Sequence, residues 1–102
     1  MRFIVIGRDG SDGGALERRT AARDAHLTLG DEYLEKGNFL AAIALLNEEQ
    51  QMCGSVMLVD FPSRTELNSW LEVEPYVTGH VWKNIEIYDA KVGPSFEKFF
   101  TK

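Results

Sequence analysis

Residues 37–61 read GNFLAAIALLNEEQQMCGSVMLVDF, which is two apolar runs joined by a polar turn. The first run, 39–46, would also suit a helix by composition alone, because alanine is frequent in it. Its short length and the Gly-Asn pair in front of it favour a strand. The second run, 52–61, is rich in residue types that are typical of strands. Together the two runs predict a β-hairpin with its turn at residues 47–51.

A strand and a long helix are predicted before this hairpin. Residues 3–7 form a compact apolar run with β-branched side chains, which is typical of a buried strand. The glycine-rich residues 8–14 predict a loop. Helix-forming residues without proline fill 15–36, and Gly37 supplies a stop signal for that helix.

A second helix and a last strand are predicted after the hairpin. Ser63, followed three residues later by Glu66, fits a capping box, so we expect a helix that begins there and ends before Pro75. Residues 81–89 alternate as a strand does. One face of this strand would carry Val81, Ile85 and Ile87, and the other Trp82, Glu86 and Tyr88.

The predicted order of elements is βαββαβ. This order is typical of a ferredoxin-like α+β fold, in which both helices cover one face of a four-stranded sheet, and it forms one domain over residues 1–102. The first and third strands are apolar on both sides, so one apolar sheet face would remain uncovered. A homodimer packed sheet on sheet would cover it. The phenylalanine-rich tail, residues 96–100, either adds to this cover or folds back on its own chain.

Composition and charge exclude several classes of function. The chain has 102 residues, and 11 Lys and Arg against 16 Asp and Glu give a formal net charge of −5. An acidic domain without a basic stripe is not expected to bind nucleic acid. The lone Cys53 and two scattered histidines lack metal-ligand spacing, so neither a metal nor a cofactor is predicted. No apolar run approaches the ~20 residues of a membrane span, and no signal peptide is recognisable, so we expect a cytoplasmic protein without membrane contact.

The first helix carries the strongest signal for a functional site. On a helical wheel, His26 lies in the middle of the predicted buried stripe, with Arg19 and Arg23 beside it. The apolar residues of this stripe are Leu16, Ala22, Ala25, Leu27, Leu29, Tyr33 and Leu34. Cations and an imidazole need polar partners when buried, so one interpretation is a cleft with His26 as acid or base and Arg23 as anion contact. In the other interpretation, His26 is a hydrogen-bonded core histidine and both arginines extend to the surface.

Several motifs resemble those of the YCII-related family. Residues 23–27 read RDAHL, where the family has an R-P-x-H segment at its first helix. Trp70 and residues 74–77, EPYV, resemble its W-x-x-x-D-P-Y segment, which is followed by a glycine and the last strand. The resemblance extends to about residue 91 and implies a ferredoxin-like subunit that assembles into a dimeric α+β barrel. The family's main enzymatic precedent is a dehydrochlorinase acting on chlorinated hydroxyhydroquinones.

The resemblance also implies which residues form the site. His26 and Glu74 correspond to a catalytic histidine–carboxylate pair, with Glu74 one methylene longer than the aspartate of the family motif. Arg23 and Tyr76 correspond to substrate-contacting positions. Asp9 falls where many members carry an acidic residue, so it either lines the same cleft or is an ordinary turn residue.

The function favoured by these features is a cofactor-independent small-molecule enzyme. In this hypothesis His26 and Glu74 move a proton in an elimination or isomerisation, as a lyase, dehydrochlorinase or isomerase does. The expected ligand is a small anionic or aromatic molecule. The alternative is a non-catalytic dimer that binds a small ligand in the same pocket or serves as an accessory protein. Cofactorless oxygenation is a third hypothesis that rests on fold analogy alone.

Overall fold

A computed structural model describes residues 1–101 as a four-stranded antiparallel sheet with the strand order β2-β3-β1-β4. The strands are β1 (Arg2–Asp9), β2 (Phe39–Leu46), β3 (Met52–Asp60) and β4 (Trp82–Asp89). The helices are α1 (Ala15–Glu35), α2 (Arg64–Leu71) and the short α3 (Pro75–Thr78), and a 3₁₀-helix (Pro94–Phe99) follows β4. This topology confirms the ferredoxin-like α+β fold. The sequence did not predict α3 or the 3₁₀-helix.

The predicted hairpin is confirmed, and its cause is partly local. Gly37 ends α1 in the left-handed region, with a φ of +86° that favours glycine. The alanine-rich run that follows therefore cannot continue the helix. It becomes the edge strand β2, whose backbone pairs antiparallel with β3 and places Ala42 opposite Met57 and Ile43 opposite Val56.

The start of the second helix is also confirmed. Ser63 is the N-cap of α2, and its hydroxyl accepts a hydrogen bond from the backbone N–H of Glu66 at 3.3 Å. This bond satisfies one of the backbone donors that a helix leaves free in its first turn. The cap fixes where α2 begins and hence where its buried face, with Leu67 and Trp70, meets the sheet.

The hydrophobic core lies on one face of the sheet. It contains Phe3 and Val5 of β1 and Met57 and Val59 of β3, and the helices add side chains that include Leu67, Trp70 and Tyr76. The alternate residues of the two central strands point to the other face, are half-buried, and lie outside this core: Ile4, Ile6, Val56 and Leu58. The predicted apolar second face is therefore present.

The phenylalanine-rich tail does not bury its rings on this chain. Phe96 and Phe99 are 60% and 68% exposed. An ion pair between Arg2 and Glu97, at 2.6 Å, ties the 3₁₀-helix to the start of β1. The tail is thus attached through a charge contact, and its aromatic side chains stay at the surface.

Part of the predicted buried stripe of α1 is wrong. Leu16, Leu27 and Leu34 are 45%, 47% and 58% exposed, and Ala25 is exposed as well. Their neighbours on the stripe, Ala22, Leu29 and Tyr33, pack against the core. Leu27 and Leu34 lie toward the edge strand, where β2 presents the small side chains of Ala41 and Ala42. A helix beside such a strand leaves a groove rather than a filled contact.

The predicted faces of the last strand are wrong at Trp82. Simple alternation assigns this residue to the face opposite Ile85, but the register between β1 and β4 shifts after Arg8, so that Arg8 lies opposite Asn84 and Asp9 opposite Trp82. Such a bulge turns the side chain to the other face. Trp82 is 5% exposed and belongs to the core on the helix side of the sheet.

Candidate functional site

The imidazole of His26 lies against the carboxylate of Glu74. The Nδ1 atom of His26 is hydrogen-bonded to Oε1 of Glu74, a side chain with no exposed surface. The same carboxylate accepts from the indole Nε1 of Trp70 at 3.0 Å and from the backbone N–H of Tyr76 at 3.3 Å. An ionised carboxylate can accept all three bonds, with Nδ1 of His26 as the donor. In the neutral form of the imidazole, Nε2 would then be the nitrogen without a proton.

Local sequence explains how Glu74 is held. Glu74 is the N-cap of α3, and Pro75 is the first residue of that helix. Proline suits this position because the backbone N–H that it lacks would have no partner within the helix. Trp70 stands one helical turn earlier, so one short stretch of chain supplies both fixed donors. His26 reaches this stretch from the middle of α1, 48 residues away in sequence.

Aromatic rings enclose the imidazole. The ring of His26 stacks on that of Tyr76 with centroids 3.8 Å apart and planes 10° apart, and Trp82 meets its edge at 6.4 Å. The Trp82 indole lies directly on Gly7, where any added Cβ would come within 2.2 Å of the ring. Gly7 is therefore required for the close approach that lets Trp82 pack beside His26.

A buried ion pair joins Arg19 and Asp9. Nε of Arg19 donates to Oδ2 of Asp9 at 2.7 Å, and the two side chains are only 5% and 3% exposed. The guanidinium also donates to the hydroxyl of Ser55 at 3.1 Å and to that of Tyr76 at 3.4 Å. Burial raises the pKa of Tyr76 above its usual value of 10.0, and the neighbouring Arg19 and Arg23 oppose that rise. Tyr76 thus keeps its proton at neutral pH, and it contacts both Arg19 and the His26–Glu74 pair.

A cleft runs beside these groups in two adjoining parts. The first, which we call the polar cavity, has a volume of about 210 Å³ and is lined by Arg19, Arg23, His26, Ser55 and Tyr76 together with apolar side chains. The second, the apolar cavity, has a volume of about 190 Å³. Its walls are mainly Leu27, Gly30, Leu34, Phe39, Ala42 and Met57. His26 lines both cavities, so its ring stands where they meet.

The structure brings together most of the residues predicted for the site. His26, Arg23 and Tyr76 line the polar cavity, and Glu74 lies directly behind His26. Arg23 is exposed at the cavity, and no ion pair to it occurs within residues 1–101. Asp9 lies one step away, because its carboxylate is occupied by Arg19.

Sequence reasoning did not assign two residues of this site, Arg19 and Ser55. The signal for Arg19 was present, since it lies two turns before His26 on nearly the same side of the helical wheel. Ser55 gave no signal, because a single serine in an apolar strand is common. Over the described part of the chain, no group of three or more potential metal-ligating side chains occurs. No helix there is long and apolar enough to cross a membrane.

Comparisons with known proteins agree on one family. The model of the YCII-related domain matches residues 1–91. Protein YciI from Escherichia coli O6:H1 (strain CFT073) and Protein YciI from Shigella flexneri are each 24% identical over 97 residues, which cover 89% of this chain and 97% of the relative.

One solved structure shares the fold closely. It is 5-chloro-2-hydroxyhydroquinone dehydrochlorinase (TftG) from Burkholderia phenoliruptrix AC1100, in complex with 2,5-dihydroxybenzoquinone. The TM-score is 0.79 at 21% sequence identity, and the match covers 93% of this chain and 98% of that chain. At this identity the likeness establishes the architecture.

Proposed function

The chain belongs to the YCII-related family, and we propose that it is a small-molecule enzyme in which His26 moves a proton. The observation that carries this proposal is the buried His26–Glu74 pair at the junction of two cavities. A carboxylate with no exposed surface that orients an imidazole is the usual support for a general base.

In this mechanism each group has a separate task. Nε2 of His26 takes a proton from the substrate, and the ionised Glu74 stabilises the imidazolium that results. Because its other two hydrogen bonds fix Glu74, the pair needs little reorganisation when the charge develops. The hydroxyl of Tyr76 accepts from Arg19, which leaves its own proton free to donate to an oxygen of the substrate.

The two arginines have different roles in the proposal. Arg23 is exposed at the polar cavity and is available to hold an anionic group of the substrate. Arg19 is occupied by Asp9, so the two act together as a fixed dipole that positions Tyr76. Asp9 thus contributes to substrate binding through Arg19.

The fold neighbour suggests the reaction class. Its name describes a dehydrochlorination, which is the loss of a proton and a chloride ion. In such an elimination His26 accepts the proton, and the electrons of the broken bond to hydrogen form a new double bond. Chloride leaves with the electron pair of the C–Cl bond. This step needs no cofactor. An isomerisation would use the same base and return the proton to another carbon.

The test is turnover of 5-chloro-2-hydroxyhydroquinone, followed as chloride release. We expect His26→Asn to lower kcat/KM by about 100-fold or more, the usual contribution of a general base. His80→Asn, at the other histidine of the chain, is the matched control and should leave the rate unchanged.

Two results would contradict the proposal. One is equal chloride release by the His26→Asn variant and the unsubstituted protein. The other is saturable binding of the compound by the unsubstituted protein without any chloride release, which would favour a ligand-binding protein.

A further inference from the structure

Gly30 occupies the interior of α1 although the fold does not require glycine there. Glycine in a helix interior is less favourable than alanine. The backbone at Gly30 is not in the left-handed region, and a Cβ built on it would first meet Cε2 of Phe39 at 4.0 Å, an ordinary contact. The space left by the absent side chain belongs to the apolar cavity. Gly30 therefore lowers the stability of the helix at the position where the missing side chain leaves room for the apolar cavity.

The apolar cavity is large enough to hold a six-membered ring. Its volume is about 190 Å³, whereas a cavity of ~150 Å³ lined by apolar side chains already binds benzene. It shares His26, Leu27, Ala42 and Met57 with the polar cavity. A ring in this space would be continuous with a group placed beside Arg23.

Two residues of opposite charge on α1 lie at the two parts of the cleft. Arg23 stands at the polar cavity and Asp31 at the far side of the apolar cavity. Eight residues of helix separate them, which is about 12 Å along the axis. An anionic group is attracted to the Arg23 end and repelled from the Asp31 end, so an elongated anion has one favourable orientation.

We propose that the cleft binds an organic anion with a ring at one end and a carboxylate at the other: the ring lies in the apolar cavity beside Gly30, and the carboxylate lies on Arg23. In this orientation the bonds between ring and anion lie next to His26. The inference rests on the proposed function only in that last point, because the binding itself requires no reaction.

The first experiment compares three probes by isothermal titration calorimetry. The probes are 3-phenylpropionate, which has both ring and anion, 3-phenylpropanamide, which has the ring alone, and propionate, which has the anion alone. We expect the complete anion to bind at least about 10-fold more tightly than either partial probe, the usual effect of losing one charge-assisted hydrogen bond or one buried ring. Equal affinities, or no binding of 3-phenylpropionate at millimolar concentration, would overturn the proposal.

The second experiment separates the two ends of the cleft. Gly30→Leu fills the apolar cavity and should weaken 3-phenylpropionate by at least about 10-fold while leaving propionate unchanged. Ala25→Leu, at an exposed position on the same helix outside both cavities, is the control for adding a leucine. Arg23→Gln should reduce binding of 3-phenylpropionate to that of the amide, and Arg64→Gln on α2 is its control. An unchanged affinity in both cleft variants would contradict the proposal.

A third variant, Gly30→Ala, should fold at least as stably as the unsubstituted protein. Gly30→Ala should raise the unfolding temperature by about 4 °C or more, because alanine favours the helix and meets no clash. The same change narrows the apolar cavity by one methyl group only, so 3-phenylpropionate should bind to it more tightly than to Gly30→Leu. Equal affinity of Gly30→Leu, Gly30→Ala and the unsubstituted protein would show that the cavity is not used. Because the probes do not react, this result is independent of whether His26 is a base.

Discussion

At the scale of single residues, Glu74 is held by three hydrogen bonds. Its two oxygens accept from an imidazole, an indole and a backbone N–H, and none of its surface is exposed. Leaving any of these buried donors without a partner costs about 1–3 kcal/mol. The hydrogen bond to His26 shows that the extra methylene of Glu74, relative to the family motif, does not prevent this contact.

We expect Glu74→Gln to lower turnover of the proposed reaction by about 100-fold, because an amide cannot accept all three bonds or stabilise an imidazolium. The measurement is kcat for chloride release. Glu72→Gln, an exposed glutamate two residues away, is the matched control and should retain full activity. Full activity in Glu74→Gln would show that the carboxylate charge has no part in the reaction.

The Asp9–Arg19 pair makes a prediction about stability. Removing one partner of a buried ion pair leaves the other charge uncompensated, which costs about 3–5 kcal/mol. Asp9→Asn should lower the free energy of unfolding in urea by that order. Asp24→Asn, at an exposed position of α1, should change it little. An unfolding midpoint of Asp9→Asn equal to that of the unsubstituted protein would disprove the buried-pair interpretation.

Tyr76 makes a prediction about pH. Burial raises the pKa of its hydroxyl above 10.0, so the folded state keeps a proton that the unfolded chain loses near pH 10. The resulting stabilisation of the unfolded state lowers the free energy of unfolding as pH rises above 10. Tyr76→Phe has no such proton and should show a smaller decline between pH 9 and about pH 11 in urea titrations. The same decline in both proteins would exclude this origin.

At the scale of elements, single residues determine where the helices begin and end. Ser63 begins α2, Glu74 begins α3, and Gly37 ends α1. The cap at Glu74 has a further consequence, because the same carboxylate that begins α3 also holds His26. Helix initiation and site geometry are therefore properties of one group.

We expect Ser63→Ala to lower the free energy of unfolding by about 1 kcal/mol, the usual value for a lost N-cap. Chemical denaturation measures it. Ser69→Ala is a suitable control, because Ser69 lies inside α2 and its hydroxyl bonds only to the preceding turn, to the carbonyl of Thr65. Alanine is at least as good a helix former there. If both variants lose equal stability, the cap at Ser63 is not responsible.

At the scale of the whole molecule, the second sheet face is apolar, and the described chain only half-buries its central side chains. Ile4, Ile6, Val56 and Leu58 form its centre and lie outside the core. Tyr88, next to Ile4 in the sheet, is 53% exposed. Apolar area of this kind drives association, and a two-fold partner would bury the same face on both subunits.

We therefore expect a homodimer formed through this sheet face, and sedimentation velocity at micromolar concentration should show it. Ile6→Glu, at the centre of the face, should shift the protein to a monomer, since it would bury two unpaired carboxylates across the two-fold axis. Val73→Glu changes an exposed apolar residue outside the sheet and should leave the dimer intact. A monomeric unsubstituted protein would contradict the prediction.

The order of elements could be predicted from the sequence because its determinants are local. A glycine after a helix, a serine before one and an apolar run of strand length act on neighbouring backbone, so the hairpin, the cap of α2 and the fold class follow from short segments. The bulge that turns Trp82 inward does not, since it depends on the pairing of β1 with β4.

The site depended on tertiary structure in a similar way. The wheel placed Arg19, Arg23 and His26 on one stripe, but which of them is buried depends on where a carboxylate stands. Asp9 reaches Arg19 from β1, and Glu74 reaches His26 from beyond α2, whereas Arg23 meets no such partner within residues 1–101 and stays exposed. A buried charge needs its counter-charge and a buried imidazole needs a hydrogen-bond partner, and in both pairs the partner comes from a different element of the fold.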